Sequence, residues 1–461
     1  MGIGAEQILP RLRSPRDRAG RFANYARTVI AAPATWCEPS TEQEVVRCVA
    51  EAAREGCRLR VVGAGHSFSE IAAPQDVALT LDRLSGIVAR GEGWVRVRAG
   101  TRLRNLNAAL ARSGEALPIL GSVAQQAVAG AVGTGTHGSS LAHSNISSLV
   151  LAARVVLGDG SVLEIDENDE RLDGIRVHLG ALGAITELTL RTVPAFSLAE
   201  TIEQIPVEQV SARVAEIGRS AEFVKVWWLP HTPMALVIRH ERTTEQMTRR
   251  PSPETERFIE NWIVHRAVLP ACTAWHRRRP DGVPSFNAMI GRTLVKKRRV
   301  GPSTLMLTTP DPALHYETEA ALPLTAGGEA FERTVKLIDR TGVRVNHLVE
   351  LRYVKGDQGW MSPAYGADSV QLGAYTALPA QRQAYFDAFW REMRALGARP
   401  HWGKEMDHTA PEIRSLYPMA ERFLALRDTL DPSRMFANRF LDRVLGEEKA
   451  FSGGSLPARA L

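Results

Sequence analysis

Apolar and polar residues in the first part of the chain recur in patterns that mark short, regularly spaced elements. Thr35 to Glu38, bracketed by Pro33 and Pro39, reads as a strand. Thr41 and Glu44 have the spacing of a capping box. Val45, Val46, Val49 and Ala53 then return on one face, so a helix runs from Thr41 until Gly56 ends it. Arg58 to Val62 follows as a strand. Val77 to Leu81 and Trp94 to Ala99 alternate apolar with polar residues and read as strands too. Thr101 to Ser113 is an amphipathic helix with Leu103, Leu106 and Leu110 inward and Gly114 closing it. Val150 to Leu157 and Val162 to Ile165, joined by Gly158-Asp159-Gly160, form a hairpin. Leu179 to Thr192 holds a glycine bend and then a strand on which Ile185, Leu188 and Leu190 alternate.

Beyond about residue 195 the spacing of elements lengthens, and a polar, proline-bearing stretch runs from Arg242 to Glu256. With 461 residues the chain exceeds one typical core. We therefore expect a domain over 1–195, a second over 196–411, and a segment over 412–461 that returns to the first. That last segment reads as helical from Glu412, then extended to Leu445, with a small, polar and disordered tail.

Composition adds exclusions. Hydrophobic residues make up 44% and charged residues 23%, as in ordinary soluble domains. The net charge of +6 is spread along the chain, and its densest runs, Arg277 to Arg279 and Lys296 to Arg299, contain no aromatic residue. A nucleic-acid groove needs stacking platforms among its cations, so a nucleic-acid partner is not expected. The excess suits a solvated surface, steering of anionic ligands, or weak peripheral contact with an anionic membrane. Cys37, Cys48, Cys57 and Cys272 have neither metal-site nor disulfide-framework spacing. No metal is expected. No signal peptide is legible, and the apolar window Phe258 to Ala274 is broken by Glu260, Asn261, His265, Arg266 and Pro270. A cytoplasmic location is the expectation.

Two glycine-rich segments carry candidate chemistry. Gly63-Ala64-Gly65-His66-Ser67-Phe68 follows a strand directly, and Gly130-Ala131-Val132-Gly133-Thr134-Gly135-Thr136-His137-Gly138 lies further on. Dense glycine lets backbone N–H groups close on a ligand such as a pyrophosphate. Residues 133–138 match G-x-G-x-x-G, but a Rossmann fingerprint must open a helix. Ser139 to Ser148 is a poor helix former. His66 is either a capping group in a turn or a nucleophile for an electrophilic cofactor carbon.

These segments resemble the vanillyl-alcohol-oxidase-type (PCMH) flavoproteins, and within them the sugar-1,4-lactone oxidase and alditol oxidase group, from about Asn24 to Leu445. Besides the two glycine segments, Leu120-Gly121-Ser122, Leu179 to Thr186, Glu350-Leu351-Arg352, Ser362 to Gly366, Pro400 to Lys404 and Asp431 to Leu441 are similar to that group in order. The resemblance implies an α+β fold: an FAD-binding domain, and a cap domain built on an antiparallel sheet flanked by helices. It implies FAD joined covalently to His66, within Val62, Gly63, Ala64, Gly65, Ser67 and Phe68. Gly121, Ser122, Gly130, Thr134, Gly135, Thr136 and His137 would line the pyrophosphate and flavin, Ile185 the adenine side, and Asn438 the returning segment. Arg352, Lys404 and Glu350 would be catalytic. Ser122, Glu350, Arg352, His401 and Lys404 would face a polyol or sugar-lactone substrate.

The implied reaction moves a hydride from a hydroxyl-bearing carbon to the flavin, with oxygen giving hydrogen peroxide. The alternative is a dehydrogenase serving a cytochrome or quinone. At Gly121 a side chain would crowd the path by which oxygen reaches the flavin. Alditol oxidases carry His and Thr where this chain has Gly373-Ala374-Tyr375-Thr376, so an alditol preference is not implied. Tyr25 replaces a usual Trp, and the stretch from Gln246 to Arg299 is more basic than the group.

Overall fold

The computed structural model describes residues 15–248, 252–293, 298–309 and 313–446. The expected disordered tail, and Lys296 and Lys297 of the basic run, lie outside those ranges. Three sheets organise the rest. Thr35–Cys37, Val77–Thr80 and Leu59–Val62 form a small parallel sheet. A five-stranded antiparallel sheet pairs the predicted hairpin with Ala184–Arg191, Trp94–Arg98 and Ile87–Gly91. The sequence reading had passed over Ile87–Gly91, whose partner makes it an edge strand.

The helix Glu42–Arg54 forms as expected, and Thr41 accepts from the Glu44 N–H. Its reciprocal partner is different. The Glu44 carboxylate takes the N–H and hydroxyl of Ser40, one residue before the cap. The C-terminal segment also departs from expectation. It is three helices, Ala410–Leu416, Ala420–Leu430 and Arg439–Leu445, the last capped by Asn438 in place of an extended stretch.

An eight-stranded antiparallel sheet dominates the second half. Strand alternation splits its residues into two sets. Val224, Val226, Trp228, Leu351, Tyr353, Val370 and Leu372 pack into a core with the helices Val207–Gly218, Gly327–Thr341 and Pro379–Ala395. Residues of the other parity are largely polar, and they face the first half of the chain.

Within the first half lies Arg60, a buried residue inside the strand Leu59–Val62. Its guanidinium donates to the carbonyls of Ile71, Leu179, Gly180 and Phe436 at 2.6–2.9 Å. Leu179 holds a left-handed φ of 54° to present its carbonyl there. We expect Arg60→Leu, which strands four buried acceptors, to cost about 4 kcal/mol in chemical denaturation. The exposed control Arg54→Leu should change stability by less than about 0.5 kcal/mol.

Candidate active site

The polar face of the large sheet is built by register. Trp227 stands opposite Glu350, Glu350 opposite Gly373, and Gly373 opposite Glu319. One step along each strand pair, Lys225 faces Arg352 and Arg352 faces Gln371. Tyr375 faces Glu317 in the next row. Eight strand-borne groups with titratable or hydrogen-bonding ends therefore share one wall.

Glu350 is the anchor of that wall. It accepts from Trp227 Nε1 at 2.8 Å, Arg352 Nη2 at 2.7 Å and the Tyr375 hydroxyl at 2.9 Å. A carboxylate has about four acceptor sites, so the protein uses most of them. Burial pushes the Glu350 carboxyl up, but Arg352, Lys225 and the donated hydrogen bonds prevail and hold it at about 2. Arg352 also donates to the Ser122 hydroxyl at 2.8 Å. Gly373 makes this possible: a Cβ there would sit 2.7 Å from the Tyr375 ring, which folds back across its own strand.

The first half of the chain holds a cleft lined by Arg60, the 62–67 turn, Gly130, Thr134, Leu179, Gly180 and Ile185. Burial, then repulsion from Arg102 and Lys404, presses the His66 imidazole down to about 4, so near neutral pH its lone pair is free. Its ring stacks on Tyr25 at 5.4 Å. Rings continue from Tyr25 through His315 and His347 to Tyr375. An elongated, glycine-walled cleft that ends on a neutral imidazole beside a polar wall fits a dinucleotide-type cofactor.

The His66 turn and the Lys404 segment are tied to each other. Phe68 N–H donates to the Gly403 carbonyl at 2.7 Å, and the Ser69 hydroxyl to the Trp402 carbonyl at 2.6 Å. Asn24 donates to the carbonyl of Ser67. Lys404 lies over the Phe68 ring and forms an ion pair with Glu317. The other oxygen of Glu317 is buried without a partner. Beside it His137, Glu319 and His401, all buried, bring three ligand-type atoms within 4.8 Å. His137 meets the Gly138 carbonyl at 2.9 Å and Glu319 at 2.8 Å. Both ring nitrogens of His137 thus lie beside oxygen atoms. His401 accepts the Gly403 N–H on Nδ1, leaving its proton on Nε2.

Comparison with known proteins agrees with this architecture. Residues 33–166 match the FAD binding domain model, and residues 188–444 match the model described as D-arabinono-1,4-lactone oxidase. The chain belongs to the D-arabinono-1,4-lactone oxidase family. Among the relatives of this family member are the L-gulono-1,4-lactone dehydrogenase of Mycobacterium tuberculosis, 31% identical over 92% of this chain and 99% of that one. Another is the alditol oxidase of a Streptomyces species, 31% identical over 88% and 94%. The crystal structure of cholesterol oxidase from B. sterolicum shares the fold, with a TM-score of 0.78, 17% identity, and coverage of 92% of this chain and 96% of that one. This lactone oxidase family member is an FAD-dependent oxidoreductase, and its fold is the PCMH-type fold that the motifs implied.

Of the expected cofactor residues, Val62, Gly63, Ala64, Gly65, His66, Ser67, Gly130, Thr134 and Ile185 line the cleft. Phe68 turns to Lys404, and Gly135 packs against Pro363 and Val177. Asn438 spends its amide on the carbonyls of Glu70, Ile71 and Ala73. It therefore braces the cleft from behind. Gly121 has a packing reason: a Cβ there would lie 2.6 Å from the Thr136 methyl and 3.4 Å from the His137 carbonyl. The space it leaves open is filled by that neighbouring segment.

Sequence reasoning missed Arg60, Lys225, Trp227, Glu317, Glu319 and Tyr375. Glu317 and Glu319 were findable, since two acids spaced by two in an otherwise apolar strand share a face.

Three further buried imidazoles constrain pH behaviour. Burial presses His178 to about 4, His347 to about 3 and His401 to about 4. The unfolded chain binds protons on these rings below about pH 6.5, where the folded chain does not, so stability falls as pH drops toward 4. The urea midpoint should decline steadily from neutral pH to about pH 4.5. A flat profile would show that these rings are not held neutral.

Proposed function

We propose that the protein oxidises a hydroxyl-bearing carbon of a sugar lactone or polyol, carries its FAD covalently on His66, and hands the electrons to oxygen, forming hydrogen peroxide. In this reading residues 1–195 hold the cofactor, 196–411 shape the substrate side, and 412–461 close the cofactor domain. The observation that carries it is the tie between the His66 turn and the Lys404 segment beside the Glu350–Arg352 wall. It joins a cofactor cleft to a cationic substrate surface.

FAD, when bound, supplies the hydride acceptor. The chain supplies the rest. Arg352 is fixed in orientation by Glu350 and Ser122, and its guanidinium stabilises negative charge developing on the substrate oxygen. Lys404 enters as half of an ion pair with Glu317, so its part is electrostatic. The unpartnered oxygen of Glu317 accepts a substrate hydroxyl. His66, neutral and half-buried, has the free lone pair that a covalent bond requires.

Purified protein should be yellow, keep its colour in an acid-precipitated pellet, and bleach anaerobically with aldonolactones or alditols. His66→Ala should release the colour. Lys404→Met should slow bleaching about 100-fold or more. Peroxide formation in air distinguishes this reading from transfer to a cytochrome or quinone. If no lactone or polyol bleaches the flavin, the reading is wrong.

The basic stretch supports a second partner. Phe258, Ile259, Trp262 and Ile263 are exposed along one helical run, and Arg266 lies over the Trp262 ring at 4.4 Å. Arg277 to Arg279 are exposed nearby. Apolar rings fringed by arginine suit the interface of an anionic bilayer. Vesicles containing phosphatidylglycerol should sediment the protein at low salt, and Trp262→Ser should reduce that severalfold. No difference from phosphatidylcholine vesicles would remove the membrane from the account.

A further inference from the structure

One charged residue on the polar wall has no part in the reaction above. Lys225 stands directly opposite Arg352 across antiparallel strands. Like charges in that relation repel and destabilise the pair. The acids nearby are committed elsewhere. Glu350 is bonded to Trp227, Arg352 and Tyr375, and Glu200 to His240 and Arg299.

The Lys225 ammonium forms no hydrogen bond or ion pair among the described residues, and it lies 4.5 Å from the centre of the Trp227 ring. Arg352 Nε is buried without a partner. Both side chains line one small cavity together with Ser122, Ser139, His240 and Met306, and no residue of its lining is a carboxylate. Burial lowers the Lys225 ammonium from its ordinary value while Glu350 and Glu200 favour its charge.

We infer that this cavity is a carboxylate subsite in which Lys225 and Arg352 Nε hold the acid group of an open-chain polyhydroxy acid, the hydrolysed form of a sugar lactone. A carboxylate satisfies both observations at once. It screens two facing cations and gives the buried Nε donor of Arg352 the partner that the protein does not supply. Neutral lactones and alditols lack that group, so the subsite separates the acid from them. Ser122 borders the cavity and already bonds Arg352, which joins the subsite to the wall where a hydroxyl is oxidised. The hydroxyl part of this inference rests on the proposed function, whereas the carboxylate part does not.

The test is calorimetric titration of the holoenzyme with sodium gluconate, inorganic sulfate and neutral sorbitol at low ionic strength. Gluconate should bind at least tenfold more tightly than sorbitol, and sulfate should compete with it. Lys225→Met should weaken gluconate tenfold or more while moving sorbitol less than twofold, and Lys225→Arg should restore most of the loss. An unchanged flavin spectrum reports intact folding of each variant. Equal affinity for gluconate and sorbitol, or gluconate binding that survives Lys225→Met, overturns the subsite. If a lactone bleaches the flavin and gluconate does not bind, the subsite alone falls. If gluconate binds through Lys225 and no lactone or polyol bleaches the flavin, the proposed oxidation falls instead.

Discussion

Arg60 donates to four carbonyls drawn from the turn at Ile71, the bend at Leu179 and Gly180, and the C-terminal segment at Phe436. No carboxylate takes part in those bonds, so the interaction combines a buried cation with backbone dipoles. Burial lowers its pKa to about 9, which measures how much solvation the guanidinium has given up. One side chain therefore ties three segments together, and it also lines the cleft. Asn438 repeats the device from the other side, bracing the carbonyls of residues 70–73.

The second organising feature is parity on the large sheet. One set of side chains is apolar and pays no desolvation penalty. The other places Glu350, Arg352, Lys225, Glu317 and Glu319 in a setting where each charge needs a partner. The pairings are uneven, and that unevenness is informative. Glu350 is nearly saturated by protein donors, so it orients the site. Glu317 keeps one oxygen free, as does Arg352 with its Nε and Lys225 with its ammonium. Groups with unused capacity mark where a ligand must make the remaining bonds.

Much of this was legible in the chain. The Glu42–Arg54 helix, the hairpin after Val150 and the glycine turn at His66 follow from local spacing, and local spacing is visible without a structure. Glu350 and Arg352 were named through the family resemblance, and the strand Val349–Val354 then puts them on one face. Lys225 opposite Arg352, and Tyr375 reaching Glu350, depend on register between strands far apart in the chain, which no pattern within either strand specifies. Arg60 was hidden because a lone cation in an apolar strand looks like an edge position. The packing of Gly121 was hidden for a related reason: its neighbour, Thr136, comes from a different segment. In the C-terminal segment the last helix was missed because Asp431-Pro432 and Asn438 interrupt the apolar period, although Asn438 in fact begins the helix.

The bond from Arg60 to Phe436 spans 376 positions. During synthesis every residue between the two must leave the ribosome before that bond can form. The cleft consequently cannot reach its final dimensions while the segment at Phe436 is still unmade. Ordered binding of the prosthetic group waits on that segment. Truncations that spare every cleft-lining residue but remove the C-terminal helices should still yield colourless protein.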